Sequence, residues 1–386
     1  MNSPVAVSSE TATLPRALPA WAYDHPEMTR LELERILETS WQIVCHVNAI
    51  PKPGDFATFE LGPNGIVALC DSNGGIRAFH NVCRHRGSRL LEGSGHCPGT
   101  ITCPYHGWSY RLGGELIGMP ERASFPGLER SDWSLKPVRS QVAFGFVFVC
   151  LAGNPPPVEE TWGELARELA PYRMEEMVPL GAPYIEHWDC DWKIAMDNYL
   201  ESYHVPIGHP GLFRMFTPDY REQVLLPSGV ARSRGRLRER PSSRFSERLY
   251  QDLVVPTVTG LPDERRRCWT FYSMLPNLGI DIFPDQIDFF QVLPRGPGKC
   301  AIRGACFAHP DSRREMRLLR YLNARINRQV QREDRLLSTR VQRGLASRSY
   351  EPGPLSQLEN CMLQFHELLR ERIPEVREPR PPARFA

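Results

Sequence analysis

The pattern of apolar and polar positions divides the chain into a part with short strands and a part with longer helices. Between residues 41 and 151, short apolar stretches alternate with turn-forming Gly, Pro and Asn, which is typical of antiparallel sheets. The longest apolar run, residues 142–153, is too short to cross a membrane and is rich in Phe and Val, so it predicts a buried strand. The predicted strands are residues 43–44, 56–61, 66–70, 76–79 and 144–149.

Helical spacing marks three other segments. Residues 26–40 place Leu and Ile at helical spacing behind Pro26, and residues 315–345 and 354–372 are strongly helical. The Pro-rich stretch at residues 154–157 indicates a boundary. The pattern predicts an α+β chain with a flexible stretch at its start, residues 1–20. Its predicted units are an N-terminal arm and helix (1–40), a β domain (41–155) and a second domain (156–386).

Composition narrows the class of protein. The 386 residues carry a net charge of +2, which does not indicate a nucleic-acid binder. The eleven Cys form no repeating framework, and residues 1–10 have neither the basic nor the apolar region of a secretory signal. We therefore expect free thiols, a reducing compartment and a cytoplasmic protein that does not enter a membrane.

Two Cys–His pairs carry the first chemical signal. One residue separates Cys83 from His85, two residues separate Cys103 from His106, and a Gly follows each His closely. Two thiolates and two imidazoles are the ligands of a Rieske [2Fe–2S] centre, where two His replace two Cys on one iron. A zinc site uses the same atoms, but the His of zinc fingers follow both Cys as a separate pair. The spacing therefore favours the Rieske interpretation, with each pair on a tight turn.

A second group of candidate ligands lies at residues 197–209. Glu201 and His204 are three residues apart, which predicts that they share one face of a helix. Pro206 would end this helix, so that His209 returns towards His204 from a loop. Two His and one carboxylate with open positions form the ligand triad of non-haem Fe(II) oxygenases. Two His near the end of a helix are common and do not by themselves indicate a metal site. The Rieske centre predicted upstream would be an electron relay, however, and a relay needs an electron acceptor, which favours a second metal site here.

The third ligand is expected in the helix predicted at residues 315–345. Asp334 falls about 40° from the centre of an apolar stripe, and Glu333 falls about 60° away on its other side. A carboxylate that faces a core is costly unless it is paired or coordinated, which favours Asp334 and leaves Glu333 as the alternative. Both could instead lie at the rim and pair with Arg. The stripe is Ile326, Val330, Leu337, Val341 and Leu345, and weaker candidate ligands are Asp281, Asp285 and Asp288.

Taken together, these motifs resemble the α subunit of Rieske non-haem iron ring-hydroxylating oxygenases over nearly the whole chain. The resemblance also rests on Trp192-Lys193 and on Glu333-Asp334 with the Gly344-Leu345 that follows. It implies a Rieske domain of antiparallel sheets. It also implies a helix-grip (START-like) catalytic domain, in which a curved antiparallel sheet surrounds a long C-terminal helix.

The resemblance implies ligand roles as well. Cys83 and Cys103 would hold one iron of the [2Fe–2S] cluster, and His85 and His106 would hold the other. The mononuclear Fe(II) would be bound by the remaining triad: His204, His209 and Asp334.

A homotrimer is a further implication. In the family, the cluster of one subunit lies beside the iron of the next, and a carboxylate joins the two sites. Here Glu201 would link His204 to the partner subunit's His106, fixing the orientation of both rings. Aromatic-ring dioxygenases often have Asp at this position. Glu201 therefore favours the branch that includes carnitine monooxygenase and stachydrine demethylase.

The implied function is that of the terminal oxygenase in a multicomponent system, with O2 as co-substrate. No dinucleotide fingerprint is evident in the chain, so electrons from NAD(P)H should arrive through a separate flavin and iron–sulfur reductase or a ferredoxin. The first hypothesis is hydroxylation or oxidative demethylation of a small organic substrate, with a quaternary ammonium compound as one candidate. The second is hydroxylation or dihydroxylation of an aromatic acid or hydrocarbon. The third is a zinc-stapled START-like ligand-binding protein without redox chemistry.

The sequence says least about the substrate. Three acids, Asp281, Asp285 and Asp288, would complement a cation or lie in solvated turns. The Arg-rich residues 232–248 and 265–267 are more simply a solvated face than a docking surface for an acidic ferredoxin. Aromatic side chains near the expected pocket would form a cation cage, pack on an aromatic ring or fill the core. They are Tyr203, Phe213, Phe216, Phe271, Tyr272, Phe283, Phe289 and Phe290.

Overall fold

The computed structural model describes residues 14–221 and 223–385, so most of the predicted flexible stretch lies outside the described residues. For its described end, residues 14–20, the prediction of flexibility is wrong. Leu18 is fully buried, and the backbone N–H of Ala17 donates to the carbonyl of Gly353. Apolar burial and backbone pairing thus fix this end against the C-terminal part of the chain. The helix predicted at 26–40 is confirmed as α1 (Pro26–Glu32) and a π-helical turn (Leu33–Leu37).

The β-rich part contains three antiparallel sheets. The predicted strands are present, whereas the four shortest strands have too few residues to show a pattern and were not predicted. The first sheet has the order β1-β10-β9, the second β4-β3-β2-β5 and the third β6-β7-β8. Their bounds are β1 Gln42–His46, β2 Asp55–Leu61, β3 Asn64–Cys70, β4 Ile76–His80, β5 Ser94–His96, β6 Thr100–Thr102, β7 Ser109–Arg111, β8 Leu116–Gly118, β9 Arg139–Ala143 and β10 Phe146–Cys150.

The apolar run at residues 142–153 is not one strand, contrary to the prediction. Its first residues end β9, and its centre forms β10. A turn joins the two strands at Phe144 and Gly145, which have φ of 51° and 76°. Both strands of the hairpin are apolar near the turn, so the pattern of hydrophobicity alone did not reveal the reversal of the chain.

The second part is built on an eight-stranded antiparallel sheet. Its order is β11-β18-β17-β16-β15-β14-β13, and β12 also pairs with β18. The strand bounds are β11 Val178–Pro179, β12 Tyr184–Trp188, β13 Gln223–Leu225, β14 Ala231–Arg236, β15 Cys268–Met274, β16 Leu278–Ile282, β17 Ile287–Pro294 and β18 Cys300–Ala308.

Helices cover this sheet. The long helix predicted from residue 315 is confirmed as α9, and the helix predicted from residue 354 begins later, after a 3-10 turn at Gln357–Glu359. The helices of this part are α2 Val158–Thr161, α3 Gly163–Leu169, α4 Trp192–Tyr199, α5 Val205–Gly208, α6 Pro210–Met215, α7 Phe245–Thr257, α8 Asp263–Arg266, α9 Arg314–Leu345 and α10 Asn360–Arg372.

Strand alternation gives the large sheet two different faces. On β16, Ile280 and Ile282 are fully buried against the β1-β10-β9 sheet and α3, where Phe146 and Phe148 also pack. On the other face, α7 and the first half of α9 cover Trp269. The core therefore continues across the domain boundary predicted at residue 155. The boundary itself stays a prediction. The α+β fold class is confirmed, with a β-rich first part and a second part of sheet and helices.

The helices within the described ranges are all too short or too polar to span a bilayer.

Candidate active site

Two loops of nearly identical geometry carry the Cys–His pairs. The backbone N–H of Cys83 donates to the carbonyl of Ser88 at 2.8 Å, and that of Cys103 donates to the carbonyl of Trp108 at 2.8 Å. In each loop the Gly four residues after the Cys has positive φ, 75° and 71°, a conformation that favours Gly. The N–H of each Gly returns to its Cys carbonyl at 3.1 Å. The tight turns expected at both pairs are therefore present.

The four side chains of these loops meet in a mostly apolar setting. The rings of His85 and His106 are 4.7 Å apart between centroids, and His85 stacks on Trp108 at 4.9 Å. The Nδ1 atom of His85 is buried without a hydrogen-bond partner among the described residues. Burial lowers the pKa of His85, and the neighbouring His106 lowers it further. A neutral imidazole with an unused buried nitrogen has the chemistry of a metal ligand.

The thiols of the two loops are also buried. Burial raises the pKa of Cys103, but hydrogen bonds from the backbone N–H groups of Tyr105 and His106 and from the side chains of Cys83 and Ser88 together lower that pKa below its ordinary value. The thiolate is the form that binds metals. Beside it, Cys83 Sγ lies 3.4 Å from the hydroxyl of Tyr110. Two thiols and two imidazoles in this arrangement fit a [2Fe–2S] cluster with mixed ligands.

A second group of candidate metal ligands lies where the turn after α4 meets α9. The Nε2 atoms of His204 and His209 face each other at 3.1 Å. Asp334 Oδ1 lies 2.8 Å from His209 Nε2 and 3.7 Å from His204 Nε2. The three side chains offer ligand atoms that all lie within 4.8 Å of one another. Two lone pairs and a carboxylate converge on one point, which fits a divalent cation.

Other polar groups orient these three side chains. Glu201 accepts from the Nδ1 of His204 through one oxygen and from the backbone N–H of His204 through the other, at 3.0 Å. Glu333 Oε2 lies 2.8 Å from His209 Nδ1, on the far side of the ring from Asp334. With Nδ1–H donated to a carboxylate, each ring directs its Nε2 lone pair at the convergence point.

The local backbone differs from the predicted helix. α4 ends at Tyr199, so Glu201 and His204 meet across a turn instead of sharing a helical face. Pro206 does not end a helix; it lies in the first turn of the short α5, where a missing N–H is harmless. A Cβ on Gly208 would lie 2.9 Å from Leu337 of α9, so the absence of a side chain lets the His204–His209 segment approach that helix.

Buried charges anchor α4. The ammonium of Lys193 lies 2.5 Å from both Glu32 Oε1 and Asp191 Oδ1, and all three side chains are buried. The indole N–H of Trp192 donates to the other oxygen of Glu32 at 2.7 Å. The Trp192-Lys193 motif therefore ties α4 to α1. This tie fixes the helix that leads into Glu201.

A cavity of about 180 Å³ opens beside His204, His209 and Asp334. Antiparallel register aligns one residue from each of five strands in a row across the sheet: Ser233, Phe271, Asp281, Asp288 and Cys306. The first four of these line the cavity. The cavity is thus floored by the sheet and closed by the segment that carries the candidate metal ligands.

The structure separates the aromatic residues considered above into three groups. Phe216, Phe271 and Phe290 line the cavity, whereas Tyr272, Phe283 and Phe289 fill the core. Tyr203 and Phe213 are exposed by 60% and 39%, respectively. Sequence reasoning missed five other aromatic lining residues: Tyr184, Trp188, Tyr199, Tyr220 and Trp269.

A strand glycine was an available signal for one of the missed residues, Tyr184, and a second strand glycine marks Phe290, which was already a candidate. A Cβ on Gly304 would lie 2.5 Å from the hydroxyl of Tyr184, and a Cβ on Gly279 would lie 2.3 Å from the ring of Phe290. An isolated Gly within a strand often marks a close approach of this kind.

The three candidate acids also separate. Asp281 and Asp288 lie on strands at the cavity, not in solvated turns. Asp285 lies in the turn between β16 and β17, but it is buried and accepts from Tyr250 Oη at 2.8 Å. None of the three belongs to the group of converging ligand atoms.

Three side chains of the Arg-rich segments form ion pairs. Arg232 and Arg234 both contact Glu168, and Arg266 contacts Asp263. These contacts favour a structural role over a free docking face for those side chains.

Comparison with protein families identifies the chain. The "Rieske [2Fe-2S] domain" family matches residues 40–133, and the "Ring hydroxylating alpha subunit (catalytic domain)" family matches residues 174–375. The chain belongs to the Rieske oxygenase α-subunit family. A Rieske oxygenase α subunit is an enzyme that uses a [2Fe–2S] cluster and a mononuclear iron, with O2 as co-substrate. This membership excludes the zinc-stapled, non-enzymatic alternative.

Individual Rieske oxygenases are similar to this chain over most of its length. The glycine betaine monooxygenase oxygenase subunit of Chromohalobacter salexigens is 30% identical over 380 residues, covering 88% of this chain and 82% of the relative. The chloroplastic choline monooxygenase of Arabidopsis thaliana is 31% identical over 367 residues, covering 92% and 82%. The solved quaternary ammonium Rieske monooxygenase CntA shares the fold, with a TM-score of 0.80 at 22% identity and coverage of 94% and 96%.

Proposed function

We propose that this Rieske oxygenase α subunit oxidises a C–H bond of a small quaternary ammonium compound, by hydroxylation or by oxidative demethylation. The observation that carries the proposal is the convergence of His204, His209 and Asp334 at the wall of an aromatic cavity. A reacting carbon held in this cavity would lie next to the iron.

The residues assigned to the two metal sites fit the groups that the family carries. Cys83 and Cys103 would hold one cluster iron, His85 and His106 would hold the other, and the triad would hold the Fe(II). When bound, these groups supply single electrons and the activation of O2, which no side chain can provide.

The remaining work belongs to the chain itself. Glu201 and Glu333 keep a proton on the Nδ1 of each triad His, so that both Nε2 atoms stay available. Asn198 Nδ2 donates to Asp334 Oδ1 at 2.6 Å and holds that carboxylate towards the two His of the triad. The aromatic and aliphatic side chains of the cavity exclude water from the reacting carbon.

Electron supply requires other molecules. We propose a homotrimer in which Glu201 joins His204 to the partner subunit's His106. Exposed apolar side chains beside Glu201 support an interface here: Tyr203 is exposed by 60% and Ile207 by 87%. A separate NAD(P)H-dependent flavin and iron–sulfur reductase, or a ferredoxin, would supply the electrons.

The relatives support the substrate class. Their names specify glycine betaine and choline, and both compounds carry a trimethylammonium group. The aromatic cavity agrees, because aromatic faces attract quaternary ammonium groups. Hydroxylation of an aromatic compound is less well supported, since the two relatives described above match over most of the chain and are named for quaternary ammonium compounds.

A single-turnover experiment tests the proposal. The anaerobic protein, loaded with cluster and iron, is reduced chemically and exposed to O2 with choline, glycine betaine, carnitine or benzoate. We expect an aldehyde or a hydroxylated product from an amine. The His209→Ala variant is the matched control, because it should keep the reduced cluster yet form no product. A cis-diol or phenol from benzoate, with no amine oxidised, would refute the assignment.

A further inference from the structure

Two carboxylates lie side by side on the floor of the cavity. Asp281 of β16 and Asp288 of β17 are directly opposite each other in the antiparallel register, and both line the cavity. Directly opposed side chains have Cβ atoms about 4.5–5.5 Å apart, a distance at which like charges repel. A buried pair of this kind needs a positive partner or bound protons.

Only neutral groups satisfy the pair. The hydroxyl of Tyr199 donates to Asp281 Oδ1 at 2.6 Å, and Gln286 Nε2 donates to Asp288 Oδ1 at 2.8 Å. Over residues 14–221 and 223–385, neither acid forms an ion pair, and the lining of the cavity contains no Lys or Arg.

Burial in this setting raises both pKa values. Burial raises the pKa of Asp281 to about 8, and the nearby carboxylates of Asp288 and Asp334 add to the effect. Burial likewise raises the pKa of Asp288 to about 7, assisted by Asp285, whereas its contact with Cys306 has the opposite effect. Without a ligand, the pair is thus partly protonated at neutral pH.

The strand pattern keeps cationic side chains out of the cavity. On β14, Ser233 and Gly235 line the cavity. The alternate residues Arg232 and Arg234 point to the other side of the sheet, where both contact Glu168. The sheet therefore presents carboxylates inwards and guanidinium groups outwards.

Aromatic rings flank the acids. Phe271 is the direct cross-strand neighbour of Asp281, and Phe290 lies two residues after Asp288 on the same face of β17. The ring of Tyr199 meets that of Phe290 edge to face at 4.6 Å. Carboxylates and aromatic faces both attract a quaternary ammonium group. Among the residues that the structure describes, no Lys or Arg lines the cavity to pair with a substrate carboxylate.

We infer that the Asp281–Asp288 pair selects a substrate with a net positive charge, an alkylammonium compound without a carboxylate, over a zwitterionic betaine of similar size. The inference rests on the proposed function, because it concerns the substrate of the same cavity. It goes beyond that function by choosing between the cationic and the zwitterionic members of the substrate class.

Equilibrium binding to the anaerobic, iron-loaded protein tests the inference. The probes are choline, glycine betaine and 3,3-dimethylbutan-1-ol, a neutral compound that has the shape of choline. The wild-type protein should bind choline at least about thirtyfold more tightly than either other probe, as expected for a desolvated charge pair. The double variant Asp281→Asn/Asp288→Asn should lose this preference, while its affinity for the neutral alcohol changes little.

A control that matches the charge change of each single variant excludes long-range effects. Asp252→Asn removes one negative charge from an exposed position on α7, so it should leave all three affinities unchanged. Iron content and circular dichroism establish that the variants are folded. If the double variant does not fold, the two single variants and the wild-type comparison still decide the question.

Several outcomes would overturn the inference. Equal wild-type affinity for choline and for the neutral alcohol would do so, as would tighter binding of glycine betaine or failure of choline to bind. An equal loss for all probes in the double variant would indicate a structural role and would also overturn it. Single turnover separates the two claims. Oxidised glycine betaine without a choline preference would keep the oxygenase assignment and remove the selection by charge.

Discussion

Substitution of Asp334 and Glu333 in parallel distinguishes the iron ligand from the residue that orients a ligand. Asp334 Oδ1 lies 2.8 Å from His209 Nε2, inside the converging group, whereas Glu333 Oε2 lies 2.8 Å from the Nδ1 on the other side of the same ring. We therefore expect Asp334→Asn to remove a ligand and Glu333→Gln to weaken the orientation of one.

The two substitutions should lower the iron affinity by different amounts. Loss of a partner that orients a metal-ligating His typically lowers metal affinity by about 10–100-fold, or about 1.4–2.7 kcal/mol. We expect Glu333→Gln to fall in this range, because Gln329 donates to Glu333 at 2.9 Å and holds the side chain in place. Asp334→Asn should exceed the range, since the charged ligand itself is lost.

Metal analysis after titration with a chelator gives the two affinities. The electron paramagnetic resonance signal of the reduced cluster is the internal control, because neither substitution touches the Cys–His loops. Iron retained by Asp334→Asn and lost from Glu333→Gln would refute the assignment and make Glu333 the ligand. Equal loss from both, with the cluster intact, would contradict the distinction between the two roles.

Three further predictions concern electron transfer, stability and pH. Glu201→Gln should weaken iron binding as Glu333→Gln does, and with both metal sites filled by excess iron it should slow the reoxidation of the cluster by O2 and substrate by about 100-fold, because His204 loses its charged acceptor. Lys193→Met should destabilise the folded chain by about 3–5 kcal/mol in urea unfolding, since Glu32 keeps a buried charge without its partner. The Kd for choline should fall about tenfold or more from pH 6.5 to pH 8.5, because protons compete for Asp281 and Asp288, whose pKa values are about 8 and about 7.

Each of these has a result that contradicts it. Normal reoxidation in Glu201→Gln would disprove the link between the sites. An unfolding midpoint of Lys193→Met equal to that of the wild type would mean that water reaches the buried carboxylates. A Kd for choline that is independent of pH, or that rises with pH, would show that the two acids do not exchange protons for the cation. The neutral alcohol serves as the pH control, since its affinity should not change.

The metal-binding loops could be predicted because their information is local. Cys83 and His85 lie within one turn, and the required Gly follows two residues later, so spacing alone indicated the geometry. The prediction of Asp334 from helical periodicity also agrees with the structure, which places it beside His204 and His209. Its role as an iron ligand is still a prediction.

The apolar stripe of α9 was only partly predicted. Val341 was expected to face the core but is exposed by 50%, whereas Ser338 is buried. The helix is 32 residues long, and its buried positions cluster in its first half, where α7 and the sheet cover it. A single periodicity cannot describe a helix whose neighbours change along its length.

The cavity could not be predicted, because strand pairing creates it. Asp281 and Asp288 are seven residues apart in sequence, and only the β16–β17 register makes them neighbours. Alternation also decides which charges enter the cavity: a shift of β14 by one residue would replace Ser233 with Arg232 or Arg234. The same sequence in another register would then present cations to the substrate. Selectivity for charge in this enzyme therefore depends on the register of the sheet as much as on the identity of the acids, and only the folded chain specifies that register.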